Sequence, residues 1–385
     1  MRITIEGSTW TNRRGYGRFL REILSAALRL GTPHEFTLVA DTSLPPSFTL
    51  PGATIVRVPL RVPAGEAASA DGRRSIADLW TMSRALARQR GDCLFFPTVY
   101  SYVPVWTRAP VVVGIHDVIA ERLPGHVFKD ARARRFWSSK VWLAAKQAAR
   151  VMTVSRHAAE GVMQQLRVPE SRIRMVGEAP AAVFRTDADT TAARRALHAA
   201  GVPDEARFFL YVGGLSPHKN LLTLIDALDR LPSDVRLVIV GDFQFDSFWS
   251  NYPALVARTT QDGGPGRVQF TAQLDDGAVA GLMRLAQALV LPSFDEGFGL
   301  PAIEAAACGA AVIVTRNSAM PDVLGDAALY VDPYDGASIE AAMRRILDDA
   351  SLGPSLGSRA AARAREHTWD AAARQMIAML EELAP

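Results

Sequence analysis

The chain predicts an α/β fold of two doubly wound domains facing a deep cleft, and three observations predict it. Short runs rich in Val, Ile and Leu alternate with longer stretches of helical periodicity, the pattern of parallel strands joined by crossover helices. The alternation stops between residues 177 and 206 and then begins afresh. The length, 385 residues, suits two domains. In such sheets a ligand sits beyond the carboxyl ends of the strands, where the strand order reverses.

In the first half, strands are expected at 2–7, 35–40, 54–58, 93–97, 111–116, 151–155 and 172–176. Helices fall between them over 17–30, 76–90, 130–149 and 157–166, where apolar residues recur at three- and four-residue spacing. The second half repeats the plan. Its strands are expected at 208–213, 236–240, 268–271, 288–291 and 311–314, and its helices at 221–231, 278–285, 300–307 and 337–349. Between the halves, Glu178-Ala179-Pro180 and the polar 186–191 region break the pattern, and Val202-Pro203-Asp204 precedes the fresh strand. Residues 45–72, with five prolines, read as a mobile loop. The halves share an architecture and no sequence repeat.

Composition narrows the class. Apolar residues make up 49% and charged residues 22%, as in an ordinary globular protein, and a net charge of +3 does not by itself argue for nucleic acid. Cys93 and Cys308 both lie in apolar runs and read as small buried core residues of a reducing compartment. No signal-peptide pattern and no run of 18 apolar residues is evident, so a cytoplasmic protein is expected.

The most informative stretch follows the strand at 288–291. It reads Pro292-Ser293-Phe294-Asp295-Glu296-Gly297-Phe298-Gly299-Leu300-Pro301-Ala302-Ile303-Glu304. Gly297 and Gly299 let the backbone approach a ligand, and Pro301 suits the first turn of a helix, where a missing N–H costs nothing. The first N–H groups of that helix present a positive dipole end that holds phosphate. Glu296 on the turn and Glu304 about one helical turn in both border the same cleft. Two carboxylates beside an anion site are tolerated if they bind hydroxyls, and that combination points to a nucleotide sugar.

The Glu-Gly-Phe-Gly-Leu-Pro-x-x-Glu-Ala run resembles the signature of glycosyltransferase family 4, retaining enzymes of the GT-B fold. Gly309-Ala310-Ala311-Val312-Ile313-Val314-Thr315 and Pro321-Asp322-Val323-Leu324-Gly325 keep that family's order. Tyr211-Val212-Gly213-Gly214-Leu215-Ser216-Pro217-His218-Lys219-Asn220 matches its phosphate loop. The resemblance is dense in the C-terminal half and thin in the N-terminal half. It implies two Rossmann-like domains: 1–185 on the acceptor side, with the helix within 369–385 crossing back to it, and 186–368 on the nucleotide-sugar side.

Under this resemblance, Lys219 places an ammonium on the diphosphate and Glu304 holds the ribose hydroxyls. Glu296 holds hydroxyls of the donor sugar, with backbone N–H groups from Gly297, Phe298, Gly299 and Leu300. Gly214 stands where the family commonly carries an arginine, which leaves the second cation open: His218 or an arginine of the N-terminal domain could serve. His116-Asp117 closes the apolar run Val111-Val112-Val113-Gly114-Ile115, and His116 would touch the donor sugar and the acceptor side. Gly15-Tyr16-Gly17-Arg18, after Arg13-Arg14, resembles the loop lying against donor phosphate and acceptor. Gln273-Leu274 stands where the backbone frames the nucleobase, bordered by Gly241-Asp242. His116, Lys219 and Glu296 are thus the expected catalytic residues. Bland readings stay open beside these: a structural His116, a helix-capping Lys219, and a flexible helix start at Gly15–Gly17.

Other chemistries fit less well. His218 occupies the place where a Walker loop needs glycine before its lysine, and Gly7 and Gly15 are too far apart for a dinucleotide fingerprint. Retaining glycosidases need two carboxyls about 5–5.5 Å apart across the anomeric carbon. An acid committed to ribose does not meet that need, so a same-face, ion-pair-like displacement is the more economical route. Backbone N–H groups and Lys219 would neutralise the leaving group, so neither a metal nor a cofactor is expected.

Residues 129–150 carry seven basic side chains (Lys129, Arg132, Arg134, Arg135, Lys140, Lys146, Arg150) against Asp130 alone, interleaved with Phe128, Phe136, Trp137, Val141 and Trp142. A basic helix with tryptophans suits an anionic membrane surface, and equally a solvated helix face over an apolar seam. Peripheral attachment at the inner face of the membrane is the expectation it adds. No recognition fold for nucleic acid accompanies the charge.

The sequence therefore points to a hexosyltransferase. The donor is a nucleoside diphosphate sugar, inclined toward GDP-mannose by the Gly-Gly-x-x-Pro-x-Lys-Asn variant. The acceptor is a glycan, free or linked to polyprenyl diphosphate, in cell-surface polysaccharide or O-antigen assembly. The alternatives are a GT-B epimerase or phosphorylase, or a nucleotide-sugar-binding protein without turnover.

Overall fold

The computed structural model describes residues 1–12, 15–62, 75–241, 250–260, 266–271 and 273–384. Two compact units emerge, one formed by Met1–Glu178 with Thr368–Pro385, the other by Ala179–His367. The division after Glu178 lies upstream of the expected 185/186 boundary. Ala181, Phe184 and Ala188 are buried, and Arg284 of the second unit donates to the Ala188 carbonyl.

In the first unit the described strands are β1 (Arg2–Glu6), β2 (Glu35–Asp41), β3 (Ala53–Val58), β4 (Cys93–Phe96), β5 (Val111–Gly114), β6 (Ala148–Thr153) and β7 (Ile173–Met175). They form one parallel sheet in the order β3-β2-β1-β4-β5-β6-β7. Such sheets are covered on both faces, which explains their nearly continuous apolar runs. Ile5 of β1 pairs with Leu38 on one side and Phe95 on the other, all essentially sealed from solvent. Burying each such side chain contributes about 1.5–3 kcal/mol.

Helices α1 (Gly15–Arg29), α2 (Ile76–Arg88), α3 (Ile119–Arg122), α4 (Pro124–Val127), α5 (Ala131–Gln147) and α6 (Arg156–Leu166) connect these strands. In the second unit β8 (Phe208–Val212), β9 (Arg236–Val240), β10 (Val268–Thr271), β11 (Leu289–Leu291), β12 (Val312–Thr315) and β13 (Leu329–Val331) run in the order β10-β9-β8-β11-β12-β13. Its helices are α7 (Thr191–Ala199), α8 (Leu221–Asp229), α9 (Tyr252–Thr260), α10 (Asp276–Leu285), α11 (Leu300–Ala307), α12 (Met320–Leu324), α13 (Gly336–Asp348) and α14 (Leu352–Ala364).

The last helix, α15 (Trp369–Glu381), belongs to the first unit and packs on α1. Thr368 caps it, accepting from the Ala371 N–H at 3.1 Å. Trp369, Ala372, Ala373, Met376, Ile377 and Leu380 line its buried face at helical spacing. The ion pairs Arg29–Asp370 (3.0 Å) and Arg174–Glu382 (2.7 Å) and the 2.9 Å hydrogen bond between His34 Nε2 and Glu381 rim the contact. Pairs of this kind each contribute little, so apolar burial holds the helix.

The expected strands and helices are all present, with ends displaced by a few residues. The reading omitted α7, α9, α12, α14, β13 and the short α3 and α4. β13 is three residues at a sheet edge, and α14 contains two glycines and a proline. The loop expected over 45–72 contains β3, and its residues 63–72 lie outside the described residues, as do Arg13, Arg14 and Asp242. Among the described residues, no helix is long and apolar enough to cross a membrane.

Candidate functional site

In the second unit, strand order reverses between β8 and β11, which are neighbours in register Leu289↔Leu210. The loops leaving these two strands build the site. After β8 the chain turns at Gly213, where φ is +154° and a Cβ would meet the Tyr211 hydroxyl at 2.8 Å. That hydroxyl donates to the Gly214 carbonyl at 2.6 Å. A single 3-10 turn, Pro217–Lys219, then delivers Lys219, and Asn220 follows in the left-handed region with φ +60°. Buried Asn220 ties this loop to its neighbours. Its amide donates to the Pro292 carbonyl (3.1 Å) and the Pro333 carbonyl (2.6 Å) and accepts from the Thr223 hydroxyl (2.6 Å).

After β11 the turn returns to meet that loop. Phe294 N–H donates to the His218 carbonyl at 2.9 Å, and Lys219 Nζ lies 2.7 Å from Glu296 Oε1. The Ser293 hydroxyl donates to the same oxygen at 2.6 Å. Glu296 N–H donates to the Asn317 carbonyl (2.9 Å), and the Asn317 amide donates to the Phe294 carbonyl (3.1 Å), which pins the turn from the β12 side. Gly299, at φ +96°, opens α11 with Pro301 in its first turn. Glu304, one turn in, is buried at 4% exposure. Phe298 and Leu300 are buried as well.

The structure thus brings together Gly214, Lys219, Glu296, Gly297, Phe298, Gly299, Leu300 and Glu304 on the two adjacent loops. Gln273 (exposed) and Leu274 (half-buried) follow β10, the edge strand two places from β8. The sequence reading gave no role to Ser293, Asn220 and Asn317. For Ser293 a signal existed, the Ser-x-x-Glu spacing of a capping box; here it joins the two side chains directly. Among the described residues no group of three or more His, Cys, Asp or Glu side chains is arranged to hold a metal ion. The chain's Asp187-Ala188-Asp189 is locally engaged: Asp187 pairs with Arg185 at 3.1 Å, and Asp189 accepts from the Thr191 N–H and hydroxyl at the start of α7.

In the first unit, β1 stands at the corresponding reversal, flanked by β2 and β4. Gly15 and Gly17 open α1, and a Cβ at Gly17 would overlap the Asn12 carbonyl, so the close approach requires glycine. Arg21 clamps the preceding loop by donating to the Trp10 and Asn12 carbonyls, both at 2.6 Å. His116 follows β5, with the Phe19 ring of α1 edge-on at 4.7 Å.

Both ring nitrogens of His116 face oxygen. Nε2 is 2.8 Å from the Pro97 carbonyl, which can only accept, and Nδ1 is 3.4 Å from Glu178 Oε1. Burial works against the imidazolium, but the Glu178 hydrogen bond and charge, the Pro97 carbonyl and Asp117 outweigh it, and the pKa is raised. Asp117 accepts from the Ile119 N–H at 3.1 Å, two residues on, just before α3 begins. Glu121 was not singled out by its sequence. Burial pushes its carboxyl up to about 7, against the 2.8 Å hydrogen bond from the Trp137 indole.

Each half of the chain resembles known proteins. The glycosyl transferases group 1 model matches residues 194–367, and the Glycosyltransferase Family 4 model matches residues 13–178. The O-antigen chain mannosyltransferase B of Escherichia coli is 33% identical over 176 residues, 44% of this chain and 44% of that protein. The serotype-specific mannosyltransferase WbdA of the same organism is 26% identical over 261 residues, 66% of this chain and 31% of that one. The chain therefore spans less than half the length of these curated relatives. Among solved structures, Anabaena HepE in complex with UDP and glucose superposes with a TM-score of 0.75 at 18% identity, covering 99% of this chain and 100% of that one, a likeness of fold. With one model on each half, and a GT-B architecture of two parallel sheets, the chain belongs to the family-4, group-1 glycosyltransferases.

Proposed function

We propose that this chain is a retaining, metal-independent hexosyltransferase. It moves a hexose, with mannose favoured, from a nucleoside diphosphate sugar to a hydroxyl of a glycan or polyprenyl-diphosphate-linked glycan in cell-surface polysaccharide or O-antigen assembly. The observation that carries this reading is the 2.7 Å contact of Lys219 with Glu296 beside the Gly299–Leu300 helix start. The mannosyl preference rests on the Gly-Gly-x-x-Pro-x-Lys-Asn variant and on the names of the two Escherichia coli relatives. HepE, whose structure holds UDP and glucose, supports a nucleotide-sugar donor.

In the proposed reaction the bond between the anomeric carbon and the diphosphate oxygen breaks, and negative charge grows on that oxygen. Lys219 and the first N–H groups of α11 meet this charge. Losing one such preorganised donor costs about a hundred- to a thousandfold in rate. Glu296 accepts hydroxyls of the sugar, and Glu304 those of the ribose. The acceptor oxygen bonds to the anomeric carbon on the face the diphosphate leaves, and its proton passes to the departing phosphate. Glu296 already accepts from Lys219 and Ser293 on one oxygen, a setting suited to holding hydroxyls. The basic, partly aromatic 129–150 stretch is read as a peripheral contact with the inner membrane face.

The test is to incubate purified protein in a chelator with GDP-mannose, UDP-sugars and dTDP-sugars, with and without lipid-linked glycan. Nucleotide release and the anomeric configuration of the product are then measured. Acceptor-dependent release of GDP with retained configuration is expected. An isomerised sugar formed without acceptor would replace this reading with the epimerase, and an inverted product would refute retention.

A further inference from the structure

The carboxyl ends of three neighbouring strands of the first sheet, β1, β4 and β5, gather a row of aromatic rings. Tyr16 lies in the first turn of α1, after β1, and Tyr100 in the loop after β4. Their rings stack with centres 5.1 Å apart and planes 18° from parallel. Trp137 of α5 continues the row 4.9 Å from Tyr100, and Phe128 follows 6.5 Å from Trp137. Phe128 and Trp137 are buried, whereas Tyr100 and Tyr16 are half-buried, so the row runs from the core to the surface.

Polar contacts hold the rings in place. The Asn12 amide donates to the Tyr16 hydroxyl at 3.2 Å. Lys140 Nζ donates to the Tyr100 carbonyl at 2.6 Å and lies 5.7 Å from the centre of the Trp137 ring. The Trp137 indole donates to Glu121 Oε1, after β5, which sets a half-buried carboxyl beside the row. Among the described residues no cation forms an ion pair with Glu121. Burial raises its pKa to about 7, helped by the Asp117 charge and opposed by the indole. A carboxyl kept in this state costs stability, and such groups gather where a ligand binds. Loops at the carboxyl ends of a parallel sheet are the place for one.

The two features select the ligand. A half-open aromatic ring takes a flat face whose polarised C–H groups meet its negative π surface. A carboxyl that is protonated part of the time both donates and accepts, which suits a hydroxyl. A pyranose ring carries a C–H face and a rim of hydroxyls together. A hydrocarbon chain would cover the rings and leave the carboxyl without a partner, at a cost.

We propose that Tyr16 and Tyr100, braced by Trp137 and Phe128, form a platform on which a sugar ring of the acceptor glycan stacks, with Glu121 binding one of its hydroxyls. The inference rests on the glycan acceptor of the proposed function. It adds that the first unit reads the saccharide itself and does not need the lipid that carries it.

The experiment supplies a polyprenyl-diphosphate-linked glycan, or the same glycan freed by mild acid, with the nucleotide sugar that the parent turns over. The freed glycan is expected to serve as acceptor with a KM comparable to that of the linked one. Tyr16→Leu should raise the acceptor KM about tenfold, and Tyr16→Phe should stay near the parent. Glu121→Ala should raise it about fivefold, with Glu121→Gln recovering most of the loss. The donor KM should not follow, which separates a lost platform from a distorted fold.

A parent that uses the linked glycan and refuses the freed one would overturn the inference and leave the proposed function standing. So would a Tyr16→Leu variant that keeps the parent's acceptor KM, or one whose donor KM rises equally. A parent that transfers to neither form would remove the proposed function, and the inference with it.

Discussion

Lys219 Nζ and Glu296 Oε1 stand 2.7 Å apart, so two loops separated by 77 residues in the chain close on each other where the second sheet reverses its strand order. With side-chain exposures of 20% and 12%, the pair is largely withdrawn from water. Breaking such a pair by removing one partner leaves the other buried and uncompensated. Under the proposed function, a donor diphosphate entering here would compete with Glu296 for the ammonium and free the carboxylate for sugar hydroxyls, linking binding at one end of the donor to positioning at the other.

Ser293 is the third member of this contact, 2.6 Å from the same carboxylate oxygen. Ser293→Ala removes a hydrogen bond to a charged acceptor, worth about 1.5–3 kcal/mol. Steady-state kinetics should show kcat down about ten- to a hundredfold with the donor KM little changed. An equal rise in KM at constant kcat would assign Ser293 to ground-state binding instead.

Asn220 should matter for stability. Asn220→Ala keeps a strained φ of +60° and leaves the Pro292 and Pro333 carbonyls without their donor. A loss of about 2–4 kcal/mol is expected by urea denaturation. Asn220→Gly, which relieves the backbone and not the carbonyls, should recover part of it. Equal stability of the two variants would show that backbone strain contributes nothing.

The His116–Glu178 contact makes the first unit sensitive to pH. A histidine whose folded pKa is raised lends stability that is fully present below its unfolded value, about 6.5, and lost as pH rises through the folded value. Melting curves across that window should show the parent losing stability with rising pH, and Glu178→Gln should flatten the slope. A slope unchanged in the variant would mean that the pair carries no linkage.

Glu121 acts in the same direction by a different cause. Its carboxyl, pushed up to about 7 by burial, holds a proton in the fold that the unfolded chain releases near 4.5. Stability is therefore lost as pH rises from about 4.5 to about 7, by at most about 3 kcal/mol. Glu121→Gln, which still accepts from the Trp137 indole, should remove that loss. Calorimetry of parent and variant at pH 5 and pH 8 checks it.

Much of this was legible in the sequence because the chemistry is local. The strand–turn–helix around Glu296 announces itself through Gly299, whose φ is +96°, and through Pro301, which suits the first turn of a helix. Apolar runs such as Phe208–Val212 announce buried parallel strands in the same way. What the sequence hid depends on distant partners. Asn220 is one polar residue among many until the fold sets two carbonyls, from Pro292 and Pro333, within its reach. Glu178 looked like part of a linker, and only the β5 terminus makes it the partner of His116. Leu352–Ala364 forms α14 despite its glycines and proline because Leu356, Gly357, Ala360 and Ala361 bury against neighbouring elements, which outweighs weak local propensity.

In the proposed function Lys219 and the α11 start grip a diphosphate. Calorimetric titration of GDP against GMP, and of UDP against UMP, into parent and Lys219→Ala is the decisive measurement. The parent should bind one nucleoside diphosphate well above its monophosphate, and Lys219→Ala should lose most of that difference while its monophosphate affinity stays the same. A parent that does not distinguish diphosphate from monophosphate, or a Lys219→Ala variant that keeps the full preference, would contradict it.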